Sequence, residues 1–289
     1  MRPPTDICRV ESAGTSRVLT HTHFMNSQGK FMQGTIDGFS YGLVTPVAGY
    51  ITACLGSALG LRCTVRSVRS GRRMPWWLFL GSASIGCGIW TMHFIGMLGF
   101  KVRETAIDYD GPLTLASLLF AVVSVGVGVG AVAYRGTRLP VLLAAGLFTG
   151  LGVAGMHYTG MAAMRMSGSV QYAPTTVLAS VAIAVVAATA ALWAAVSVRG
   201  LSAAIGASLV MGVAVTGMHY TGMSALSVEL HTHTTTGAGT GSPTAVVLPM
   251  LVGALAFLIV AGTIVMFDPL LILGDDEADI DRRPRVARR

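Results

Sequence analysis

The segment GMHYTGM occurs at 155–161 and returns unchanged at 217–223, and a looser copy, TMHFIGM, stands at 91–97. Each copy offers an imidazole beside thioethers. On a helix, residues i and i+4 share a face. That pairs His93 with Met97, His157 with Met161 and His219 with Met223. Met92, Met156 and Met218 precede the histidines and point about 100° round the helix, toward a neighbour. Thioethers are soft ligands that select Cu(I), and imidazole suits copper in either oxidation state. Methionine also fills cores, and one histidine in an apolar run can be a packing residue. Three copies with fixed offsets point to ligation of a metal.

Tyr158 and Tyr220 follow two of the histidines. A phenol there could hydrogen-bond a ligand or the imidazole, or it could anchor the chain at a membrane surface. Gly96, Gly160 and Gly222 stand three residues after each histidine, and Gly86, Gly150 and Gly212 seven before. Small residues at such offsets let helix backbones meet, or mark a bend or a helix end. Two further pairs, His21 with His23 and His231 with His233, have i, i+2 spacing. In extended chain both rings fall on one side. Each pair could capture a metal loosely, or be part of a polar Thr/Gly-rich loop.

The motifs need elements to hold them. Of the 289 residues, 53% are hydrophobic and 11% charged, against about a quarter charged in soluble domains. Seven apolar runs are long enough to cross a bilayer, which takes about 20 residues: 40–61, 76–99, 113–134, 141–164, 177–198, 203–226 and 246–267. Pro75, Pro112, Pro140, Pro174 and Pro243 stand at or near their starts, where a missing N–H costs little. The expected fold is an all-α membrane protein of seven transmembrane helices.

Basic residues set the direction. Thirteen of the 20 lie in 62–75, 135–140, at Arg199 and after residue 267. The positive-inside rule makes that side cytoplasmic, with the N-terminus outside and the C-terminus inside. The same bookkeeping accounts for the net charge of +7 without nucleic acid. The second, fourth and sixth runs then travel outward, and their histidines lie at one depth near the outer face. His93 to His157 is 64 residues and His157 to His219 is 62. These spacings predict three tandem, parallel two-helix repeats around an axis along the membrane normal, which would gather the motifs at a common centre.

Apart from Cys and Tyr, the three motif histidines are the only ionisable groups in the seven runs. Such groups are costly in hydrocarbon and mark function. No carboxylate or nucleophile accompanies them, so no enzyme is expected. Cys8, Cys54, Cys63 and Cys87 include no CxxC spacing, so neither a disulfide framework nor a thiolate zinc site is expected. The expected organisation is a disordered, extracytoplasmic 1–37 (with Met25 and Met32 as alternative starts), a six-span domain at 38–230, a His/Thr/Gly loop at 231–245, a seventh span at 246–267 and a charged cytoplasmic tail at 268–289.

At these motifs the chain resembles the MHYT domain family over roughly 38–230. The resemblance implies a bacterial inner-membrane sensory module, suggested to coordinate copper and so sense oxygen, carbon monoxide, nitric oxide or redox state. It carries over Met92, His93 and Met97, then Met156, His157, Tyr158 and Met161, then Met218, His219, Tyr220 and Met223. The first copy departs, with Phe94 for Tyr and Ile95 for Thr. Many relatives join the domain to cytoplasmic cyclic-dinucleotide enzymes. Here the chain ends 22 residues after the last expected span, so a stand-alone module is expected, signalling through a cytoplasmic partner or through its short tail. Copper acquisition or transport, haem binding through His and Met, and a structural role without metal are the alternatives.

Overall fold

The computed structural model describes residues 31–69, 75–198, 200–231 and 244–268. Seven helices carry the chain: α1 (Val44–Arg69), α2 (Pro75–Leu98), α3 (Gly111–Arg135), α4 (Leu139–Ala162), α5 (Pro174–Ser197), α6 (Leu201–Ser224) and α7 (Thr244–Met266). All seven are long and apolar enough to cross a membrane. Pro75 opens α2, and Pro112, Pro140 and Pro174 fill the first turns of α3, α4 and α5. A ring nitrogen without hydrogen loses nothing there.

Six helices close into a ring in chain order, with α6 returning to α1. Close packing explains the glycines seven residues before each histidine. A Cβ at Gly86 would run into the α3 backbone at Val122, one at Gly150 into the α5 backbone at Val185, and one at Gly212 into Cys54 and Tyr50 of α1. Each even helix therefore lies tightly on the next odd one, and the last of these contacts closes the ring. The indole N–H of Trp90 pins α2 to α3 by donating to Ser117 Oγ at 3.0 Å. Helix α7 stands outside the ring against α2 and α1. With α7 on its back, α2 is the most buried span, at 89% of its apolar window against 22% for α5 and α6.

Two features depart from expectation. The first span was expected to stop at residue 61, but α1 runs from Val44 to Arg69. Arginine is a good helix former, and the extension is held: Arg66 pairs with Asp268 beyond α7 at 2.7 Å and lies over the Trp77 ring. Hydropathy marks where the apolar stretch ends, not where the helix does. The second departure is β structure. Strands β1 (Phe31–Gln33), β2 (Ile36–Asp37), β3 (Lys101–Val102), β4 (Asp108–Tyr109), β5 (Met164–Arg165), β6 (Gly168–Tyr172) and β7 (Leu226–His231) form three small antiparallel sheets in the orders β1-β7-β6, β2-β3 and β4-β5. They gather where α2, α4 and α6 finish. Residues 31–37, part of a segment expected to be disordered, pair with β7 and β3.

One backbone bond recurs at this end. The carbonyls of Gly99, Ala163 and Ala225 each stand six residues after a motif histidine. They accept from the amides of Ser40, Asp110 and Ala173 at 3.0, 2.9 and 2.8 Å. These amides lead into α1, α3 and α5, so each helix pair is tied shut just beyond its motif. Asp110 also caps α3 through the Leu113 amide and pairs with Arg165 of β5 at 2.9 Å. The amide and the guanidinium hold its carboxyl below the usual range. The short strands form a lid over this end of the bundle, and in it Tyr109 of β4 is buried, which raises its phenol.

Candidate metal centre

His93 comes from α2, His157 from α4 and His219 from α6. The ring brings all three to one point. Nδ1 of His93 lies 3.1 Å from Nδ1 of His157 and 3.1 Å from Nδ1 of His219. The ring centroids are 4.8, 5.0 and 5.3 Å apart, and every pair meets edge to face. His93 and His157 have no exposed surface and His219 has 1%. The geometry thus brings the three motif histidines together.

The outer edges of the rings are also placed. Among the described residues, the Nε2 atoms have no hydrogen-bond partner. Each fits into the space left by a glycine of another motif: His93 against Gly160, His157 against Gly222, and His219 against Gly96. Sequence spacing suggested that these glycines serve helix approach or mark a bend or helix end. They serve the imidazoles instead, and the relation runs round all three copies.

The donor set fits a cation. Imidazole–metal bonds of about 2.0–2.1 Å set three nitrogens about 3.3–3.6 Å apart around one ion; the two contacts of His93 come within a few tenths of an ångström of that, and all three ligand atoms lie within 4.8 Å of one another. Without an ion, neutral rings can make both short contacts only if protons on the outer two Nδ1 atoms point at His93, or if His93 splits one N–H between them. Either way Nε2 atoms stay buried without partners, and each such atom costs about 1–3 kcal/mol. With Nδ1 lone pairs on an ion, the two inner contacts become one shared interaction and each proton sits on Nε2, whose burial the ion does not relieve. The buried trio of His93, His157 and His219 can therefore hold a metal.

Of the other expected site residues, Met97 and Met161 are buried in the main core, and Met223 is half-buried against it. Met92 packs on Gly49 of α1. Met156 is fully buried, and Met218 lines a cavity among the six ring helices. Tyr158 sets its ring edge against His157, but its hydroxyl meets Ser180 of α5 at 2.7 Å and not an imidazole. Tyr220 edges His219 and stacks on Phe39. Phe94 edges His93 in the same way, so the ring, which all three copies share, makes this contact. His231 ends β7 opposite Phe31, while His21, His23 and His233 lie outside the described residues. Cys54, Cys63 and Cys87 are free thiols.

Segments 86–145 and 150–208 match the MHYT family, described as "Bacterial signalling protein N terminal repeat". The chain carries the MHYT repeat domain. Each matched segment opens on a ring-packing glycine, Gly86 or Gly150, and the third motif follows after both. The MHYT region is similar to the bifunctional diguanylate cyclase/cyclic di-GMP phosphodiesterase MucR of Pseudomonas aeruginosa, 42% identical over 66% of this chain and 29% of that protein. It is also similar to the cyclic di-GMP phosphodiesterase NbdA of the same organism, 37% identical over 68% and 27%. A third relative is the signaling protein YkoW of Bacillus subtilis, 30% identical over 61% and 23%. The chain thus spans less than a third of each. No solved structure matches it. Among the described residues, seven helices are long and apolar enough to cross a membrane, and the matched segments carry a repeat described from bacterial signalling proteins.

Proposed function

We propose that this MHYT protein is a sensor of the bacterial inner membrane whose His93, His157 and His219 hold one copper ion through Nδ1. The observation that carries the reading is the meeting of three Nδ1 atoms in a fully buried centre. Charge favours Cu(I). The three ligands are neutral and no carboxylate joins the group. The Born cost of a buried ion grows as the square of its charge, so a divalent ion would cost about four times as much as a monovalent one. The methionine-rich surroundings favour the softer ion as well. Met97, Met161 and Met223 are the candidates for a further ligand. Rings in mutual edge contact leave no flat slot for a porphyrin, which argues against haem.

The arginine distribution puts the histidine end of the bundle on the outer side. There the centre would meet oxygen, carbon monoxide, nitric oxide or an oxidant, and ligation would shift the packing of α2, α4 and α6. The role is binding, not catalysis, and the signal passes to a cytoplasmic partner. The test is Cu(I) titration of purified protein against a chromophoric chelator. One equivalent for the native chain and none for the triple His→Ala variant is expected. Undiminished copper in the triple variant rules the reading out.

A further inference from the structure

The helix faces that carry the histidines continue below them. Four residues before each histidine stand Ile89, Val153 and Val215, and eight before stand Ile85, Thr149 and Met211. All six line one cavity. Positions i, i−4 and i−8 share a helix face, so these side chains form two layers about 6 and 12 Å beneath the trio. Ser57 and Leu61 of α1, Val125 and Val129 of α3, Leu192 and alanines of α5, and Ala214 and Met218 of α6 complete the wall. The cavity is about 50 Å³, against the roughly 10–15 Å³ that one water needs on the same measure. Its lining is almost wholly aliphatic, and Thr149 directs its hydroxyl to the Ser124 carbonyl. A site of this size offers water too few partners. Apolar cavities of this kind stay dry and take up small uncharged molecules such as xenon.

We propose that this chamber, coaxial with the histidine trio, is a binding site for a small apolar molecule of diatomic size, held beneath the open face of the metal centre. The proposal deepens the sensor reading and rests on it for its purpose, but not for its test. The site concentrates an uncharged ligand next to the imidazoles, excludes water from them, and discriminates against ions and polar solutes.

The experiment uses xenon as the probe. Protein with ¹³C-methyl methionine is placed in lipid nanodiscs and xenon pressure is raised. The Met211 and Met218 methyl signals are expected to shift along a curve that saturates. Met266, 67% exposed on α7, reports dissolved xenon and should shift in proportion to pressure. Ala188→Leu, or Ala184→Val if the first variant does not fold, fills the cavity and should flatten the saturable curve. A proportional response at Met218 in the native chain overturns the proposal, as does a saturable curve unchanged by filling. The titration is run with and without copper. Saturation in both states leaves the chamber standing even if copper is not the metal. Copper loading without saturation removes the chamber alone.

Discussion

The Nε2 edge of His93 occupies the space where a side chain at residue 160 would begin. The same holds for His157 at Gly222 and His219 at Gly96. The glycine three places after one histidine is thus set by the histidine of another helix pair. Gly160→Ala should drive the His93 ring off its position. Overpacking of a close-packed core costs about 1–3 kcal/mol, and copper binding should fall with it. Gly217 has nothing near its absent side chain, so Gly217→Ala should leave both unchanged. Thermal unfolding and Cu(I) titration of the two variants compare these outcomes directly.

His93 is the only ring whose Nδ1 makes both short contacts. Its removal takes away a ligand and separates the other two. His93→Ala should weaken Cu(I) binding by more than the about 10–100-fold typical of losing a group that merely orients a ligand. Tyr158→Phe keeps the ring against His157 and loses only the bond to Ser180. It should therefore bind copper like the native chain, as the Phe94 copy already implies. Competition titrations check both.

Much of this centre was legible in the chain. Hydropathy marked the seven spans, because a bilayer demands long apolar runs. The near-equal spacings of His93, His157 and His219, on spans of one direction, predicted their convergence. The exchange between His93 and Gly160 was not legible, since offsets within one helix do not say which helix is its neighbour. The two-residue strands at Ile36–Asp37 and Lys101–Val102 carry no period, and their pairing is between distant segments. The chamber needed the ring closure at Gly212, although Ile89, Val153 and Val215 stood in plain view one turn before each histidine.

The methionines divide by position. Met97→Leu conserves volume and should cost less than about 1.5 kcal/mol in stability. If Met97 supplies a fourth ligand, Cu(I) affinity falls while Cu(II) affinity holds, because thioethers prefer the softer ion. Sulfur scattering in the copper X-ray absorption spectrum should weaken in step. Met218→Leu should instead leave that signal intact and alter only the chamber.

The lid carries a pH signature. The Leu113 amide and the Arg165 guanidinium hold the Asp110 carboxyl below its ordinary value of 3.8. A carboxyl lowered on folding adds stability above its unfolded value, and loses it as the pH falls through the folded value. Asp110→Ala should therefore lower Tm at pH 7. The gap between variant and native chain should narrow once the pH drops well below 3.8. A gap of equal size at pH 7 and pH 2.5 would assign the effect to packing.

At the opposite end, Arg66 joins α1 to Asp268, two residues past α7. Its Nε lies 2.7 Å from Asp268, with side-chain exposures of 13% and 7%, and its guanidinium covers Trp77 of α2. Breaking a buried pair by removing one partner costs about 3–5 kcal/mol. Arg66→Ala should thus destabilise the junction of α7 with α1 and α2, measured as loss of amide-exchange protection in α7. Arg66→Lys keeps the charge but not the planar fork that pairs and stacks, so it should fall between. Helix α2 carries His93, so a change of ligation at the trio should reach this junction. Copper loading should then slow exchange in α7 of the native chain and not in Arg66→Ala. Equal protection in both would separate the junction from the metal centre.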